Sequence, residues 1–122
     1  MLIIGYEQIP FAPQYLVDGV EDIAKTPPNS TLFLKTYDEA LMRYCFDNEL
    51  SYSVCVETVS QLLVANALGA SYIVTKNPER DQKIATNYLF DAKILTFIKD
   101  IDEIEKLVET EIDGVIFESA LH

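Results

Sequence analysis

Three of the nine basic residues in this chain, Lys35, Lys76 and Lys99, stand where an apolar run gives way to a helix-capping residue, in a sequence of formal charge −11. An ammonium group at such a place, beside the free backbone N–H groups of a helix start, suits a small anion such as a phosphate or a carboxylate-bearing metabolite. Glu57 closes another of these runs and supplies an acid or base beside them. Thr58 and Asn77 follow Glu57 and Lys76, so the candidate ligand set is Lys35, Glu57, Thr58, Lys76, Asn77 and Lys99. The competing account pairs the lysines with Glu7, Glu57 and Asp100 in surface ion pairs worth under about 1 kcal/mol each. If desolvated, Lys76 would also be the residue to act as an amine nucleophile of the Schiff-base kind.

Other chemistries lack their residues. Neither G-x-G-x-x-G nor G-x-x-x-x-G-K-[ST] occurs, which disfavours the usual nucleotide sites. The single histidine is His122, which removes imidazole catalysis and multi-histidine metal centres. Glu7, Glu57 and Asp100 offer oxygen ligands for a hard cation, but the lysines at the same ends oppose one, so no metal and no cofactor are expected. Cys45 and Cys55 have no C-x-x-C spacing and read as small buried hydrophobes whose thiols stay protonated. The acidic balance makes nucleic acid and anionic membrane poor partners, since both need Lys and Arg to neutralise phosphate. No apolar run approaches the roughly 20 residues of a spanning helix. The opening MLIIGYEQ lacks a basic leader and reads as a strand, which gives a cytoplasmic expectation.

The elements that must position these residues are clearest from Ser51 to Lys76. Tyr52 to Glu57 is a mostly apolar strand. Thr58 with Gln61 caps a helix with an inner stripe of Val59, Leu62, Leu63 and Ala67, Gly69 stops it, and Ser71 to Thr75 resumes as strand. The same rhythm surrounds this βαβ unit. Thr31 to Lys35 is a strand, and Thr36-Tyr37-Asp38-Glu39 is a capping box opening a helix that runs to about Asn48. Asn77-Pro78-Glu79 starts a helix with an inner stripe of Ile84, Ala85, Tyr88 and Leu89. Lys93 to Ile98 is a strand, Asp100 to Glu103 caps a last helix, and Asp113-Gly114 turns into a final strand, Val115 to Glu118. Before Ser30 the prolines leave only a first strand ending at Gly5, a short edge strand near Tyr15 to Val17, and a short helix from Val20 to Lys25.

Alternation at about 20-residue spacing is the signature of a parallel sheet. The fold class is therefore α/β, a single domain over 1–122: a three-layer α/β/α sandwich of flavodoxin-like type, with half of a (β/α)8 barrel as the alternative. In either arrangement the strand ends and helix starts share one edge, where ligands bind.

Strands ending in Glu57, Thr75 and Lys99 resemble the acid, hydroxyl and lysine of two-component receiver domains, with Glu57 where the acceptor aspartate would stand. The segments ANALGASYIVT, NYLFDAKIL and IDGVIF resemble those of a small group of bacterial α/β proteins with no assigned activity, over Thr31 to the C-terminus. That resemblance implies a fold and no reaction. The functional expectation is a non-enzymatic, cytoplasmic interaction or regulatory module, working as a homodimer or on another protein partner. The alternative is a protein or enzyme that binds a small anionic ligand at the sheet's C-terminal edge.

Overall fold

The computed structural model describes residues 1–122. Seven strands, β1 (Leu2–Ile4), β2 (Gln14–Leu16), β3 (Thr31–Leu34), β4 (Tyr52–Val56), β5 (Tyr72–Thr75), β6 (Lys93–Phe97) and β7 (Gly114–Ile116), form one sheet in the order β1-β7-β6-β5-β4-β3-β2. Every pairing is parallel. The expected parallel α/β class holds.

From β2 to β7 each crossover steps one strand in the same direction. Right-handed connections that all step one way place their helices on one face. The helices are α1 (Val20–Ile23), α2 (Glu39–Asp47), α3 (Val59–Ala67), α4 (Pro78–Asn87) and α5 (Ile104–Leu107). Their inward residues Leu41, Met42, Cys45, Leu62, Ala65 and Ala85 share one core with Leu32, Leu34, Tyr52, Val54, Ile73 and Ile94 of the strands. Alternate strand residues, Phe33, Val74, Leu95 and Ile116, form a second core on the opposite face, closed by Ala120 of a 3₁₀ turn and covered by no α-helix.

That second face is concave. Gln14 on β2 is bridged to Leu121, and Leu16 and Gln14 exchange backbone hydrogen bonds with His122 at 2.9 and 2.8 Å. In a flat sheet β7 and β2 would lie five strand spacings apart, about 24 Å. The five residues from Ile116 to Leu121 reach at most about 18 Å. The sheet must therefore curl until its edges approach, and the rings of Phe33 on β3 and Phe97 on β6 meet across the hollow at 5.9 Å between centroids. The curl gives the half-barrel form of the expected class.

Local signals were partly displaced. Thr58 accepts from Gln61 N and Gln61 Oε1 accepts from Glu57 N, so the cap of α3 forms, and Gly69 ends that helix at φ +76. The box expected at Thr36 does not form. Asp38 is the N-cap, its carboxylate accepting from Leu41 N at 3.1 Å, and α2 starts at Glu39, because a carboxylate in the extended residue just before the helix outcompetes a hydroxyl two residues earlier. The last helix keeps its capping box at Asp100 and Glu103 but runs as short α5 between two 3₁₀ turns. The final strand is Gly114–Ile116, with Glu118 already in a 3₁₀ turn.

The inner stripes are also rotated. On α3, Leu62 and Ala65 are buried while Leu63 is exposed. On α4, Asp81, Gln82 and Ala85 are buried and Tyr88 and Leu89 are outside, because the helix ends at Asn87 and Leu89 takes φ +54 in the reversal that follows. Asp81 and Gln82 tolerate burial through hydrogen bonds, the first from Thr75 and the second from Asp113 N at 2.8 Å.

Candidate functional site

In every strand the residue two before the C-terminal end points to the same side as the end residue. The concave face therefore carries the pairs Phe33 and Lys35, Cys55 and Glu57, and Val74 and Lys76, each an apolar or thiol floor residue beneath a charged rim residue. A cavity of about 560 Å³ opens at this rim. Lys35, Glu57, Lys76 and Asn77 line it, with Cys55, Val74 and Phe97 below and Val56, Thr75 and Glu118 completing the wall. Its size falls within the ordinary range of small-ligand sites, about 300–1,000 Å³.

Four of the six residues singled out from the sequence are thus brought together. Lys99 is not among them: it lines an adjoining hollow with Phe97, Phe117, Glu118 and Ser119, where Glu103 accepts from the backbone N–H of Lys99 and Asp100 at 2.7 and 2.8 Å. The helix start beside Lys99 is occupied by the chain's own carboxylate. Thr58 lies outside both hollows, its hydroxyl spent on the α3 cap.

The surface ion pairs that would have neutralised the lysines are absent. The only salt bridges are Arg43 to Asp47 and Arg80 to Asp81. Lys35 and Lys76 face the cavity without an acidic partner within 4.0 Å, and their charge reaches the thiol beneath. Burial pushes the Cys55 thiol up to about 11, and the ammonium groups of Lys35 and Lys76 act in the opposite sense. Cys55 is therefore a protonated thiol at neutral pH, as its apolar flanks imply, although it is half-buried and lines the cavity.

The rim is braced from the convex side. Thr75 Oγ1 donates to the buried Asp81 carboxylate at 2.5 Å and accepts from Asn77 N at 2.9 Å, while Thr96 Oγ1 donates to Thr75 O at 2.7 Å. Arg80 binds Asp81 Oδ1 through Nε at 2.8 Å and reaches the carbonyl of Glu57 through Nη2 at 3.3 Å. One network thus fixes the ends of β4, β5 and β6. Asn77 makes no side-chain cap bond to α4, so its amide remains available at the cavity. No group of three or more His, Cys, Asp or Glu side chains converges as a metal cage would require.

Cys55, Phe97 and Glu118 were missed as cavity residues. The first two were recoverable by stepping back two positions from Glu57 and Lys99. Glu118 was expected at the strand-end edge, but its place in this cavity needed the curl, which brings the end of β7 round to face β3 to β5. No protein-family model matches the chain, and no curated protein matches it.

Proposed function

We propose that the protein binds a small anionic metabolite, bearing a phosphate or a carboxylate, in the cavity at the C-terminal ends of β3 to β6, and that it does so in the cytoplasm. The observation that carries this reading is the convergence of Lys35 and Lys76, neither of them ion-paired, on one concave pocket with an apolar floor. Ammonium groups without a carboxylate partner are available to an anion, and the partly dry floor strengthens such a contact relative to open water. The test is thermal unfolding against a panel of phosphorylated and carboxylate metabolites. A ligand at a hundredfold excess over its Kd adds about 2.7 kcal/mol of stability, roughly 10 °C for a domain of this size. Saturable stabilisation that disappears in Lys35→Ala and Lys76→Ala supports the reading, and a flat response across the panel removes it.

The interaction module, expected to be a homodimer, is the second reading, and one observation favours it. Tyr88 and Leu89 at the end of α4 are 72% and 86% exposed, a costly display for large apolar side chains that a second chain would cover. Sedimentation giving only the 13.8 kDa species at high concentration would end the homodimer.

A further inference from the structure

The rim of the cavity carries both signs of charge. Lys35 follows β3, Glu57 follows β4 and Lys76 follows β5, so a carboxylate stands between two ammonium groups on adjacent strands, and Glu118 after β7 adds a second carboxylate to the same wall. Opposite charges this close in the fold usually pair, yet none of the four has a partner within 4.0 Å. The backbones of both glutamates are held. Glu57 N donates to Gln61 at 2.8 Å and its carbonyl accepts from Arg80 at 3.3 Å, while the carbonyl of Glu118 accepts from Leu121 N at 3.0 Å.

From this arrangement we infer that the ligand is a small zwitterion, carrying a carboxylate or phosphate for Lys35 and Lys76 and a primary amine for Glu57 and Glu118. The inference rests on the anion-site reading and sharpens it. Two positive and two negative groups leave the rim without net formal charge. A plain anion gains from the lysines and loses to the carboxylate between them. A molecule with both signs meets an opposite charge at each end, and the aliphatic body joining those ends lies over the floor of Cys55 and Phe97.

Matched pairs differing only in the amine decide it: glutamate against glutarate, 4-aminobutyrate against butyrate, and phosphoethanolamine against ethyl phosphate, titrated calorimetrically into the full chain. The carboxylate pairs and the phosphate pair also separate the two kinds of anionic end. The expected result is that, in at least one pair, the amine-bearing member binds at least about tenfold tighter, the effect of one added charge contact of roughly 1.4 kcal/mol. Glu57→Gln and Glu118→Gln should then collapse the preference toward unity while the amine-free member keeps or improves its affinity. Equal or tighter binding of the amine-free members, lost in Lys35→Ala, overturns the zwitterion and leaves the anion site standing. A preference that survives both glutamine substitutions overturns it as well. No saturable binding by any member removes both readings.

Discussion

The hydroxyl of Thr75 donates to the fully buried carboxylate of Asp81 at 2.5 Å, joining the end of β5 to the first turn of α4 directly behind the cavity rim. A carboxylate excluded from water is tolerable only while its acceptors are filled, and here Thr75 and Arg80 fill them. Asp81→Ala should cost about 2–3 kcal/mol, as loss of charge-assisted hydrogen bonds that leaves Thr75 without its acceptor. Thr75→Val should cost nearly as much by stranding the carboxylate. The double variant should cost clearly less than the sum, because the two residues share one interaction. Urea midpoints of the three variants measure this, and simple additivity would show that the bond contributes nothing.

This pair also marks the limit of what was legible in the sequence. Strand and helix order, the α3 cap at Thr58 and the gathering of Lys35, Glu57, Lys76 and Asn77 at one edge follow from periodicity and parallel strands, which are local signals plus one topological rule. The burial of Asp81 and the exposure of Tyr88 do not, because apolar periodicity assumes that polar residues face water. Here a polar pair supplies the helix-to-strand contact and the apolar residues fall beyond the helix end. The curl was equally hidden: it depends on Leu121 reaching β2, a contact between residues more than a hundred apart in the chain.

Cys55 gives a chemical reading of the cavity. Its thiol, pushed up to about 11, should alkylate at neutral pH about a hundredfold more slowly than a free cysteine, because only the thiolate attacks. Lys35→Ala and Lys76→Ala should slow it further by removing the charges that favour the thiolate. Cys45, wholly buried, should stay unmodified in the native protein. Both thiols are raised in the folded state, so their contribution to stability is present below pH 9.0 and is lost as pH rises toward about 11. Mass-resolved iodoacetamide labelling against pH checks the order, and a Cys55 rate equal to that of a free thiol would contradict the burial.

Glu103 should make the adjoining hollow acid-sensitive. The backbone N–H groups of Asp100 and Lys99 hydrogen-bond its carboxylate and hold it below the usual carboxylate range. A carboxyl group lowered in the folded state stabilises above its unfolded value of 4.5 and loses that contribution as pH falls through the folded value. Glu103→Gln should therefore flatten the pH dependence of stability below pH 4.5 and leave the alkaline side unchanged. Denaturant titrations of the two proteins across that range decide it, and parallel curves would reject the assignment.

Gly114 tests how tightly the edge strand β1 is tied to the rest of the sheet. It sits in β7 between β1 and β6, and a methyl group there would lie 2.6 Å from Leu2 Cβ, 2.7 Å from Leu2 O and 2.8 Å from Leu95 Cδ2. Two of these neighbours belong to β1 at or next to its backbone and cannot swing aside as a flexible side chain would. Leu95 lies in the concave core and is wholly buried. Overpacking of this kind costs about 1–3 kcal/mol, and the element free to yield is β1, a three-residue edge strand with only β7 as partner. Gly114→Ala should therefore destabilise the protein by that amount and speed amide exchange at Leu2 and Phe117, whose N–H groups bond across the β1–β7 seam at 2.8 Å. Exchange at Cys55 and Val74 should stay slow, because β4 and β5 lie well inside the sheet. Uniform acceleration at all four sites would mean that the β1–β7 seam and the centre of the sheet open as one unit, and the seam would then have no independence from the site.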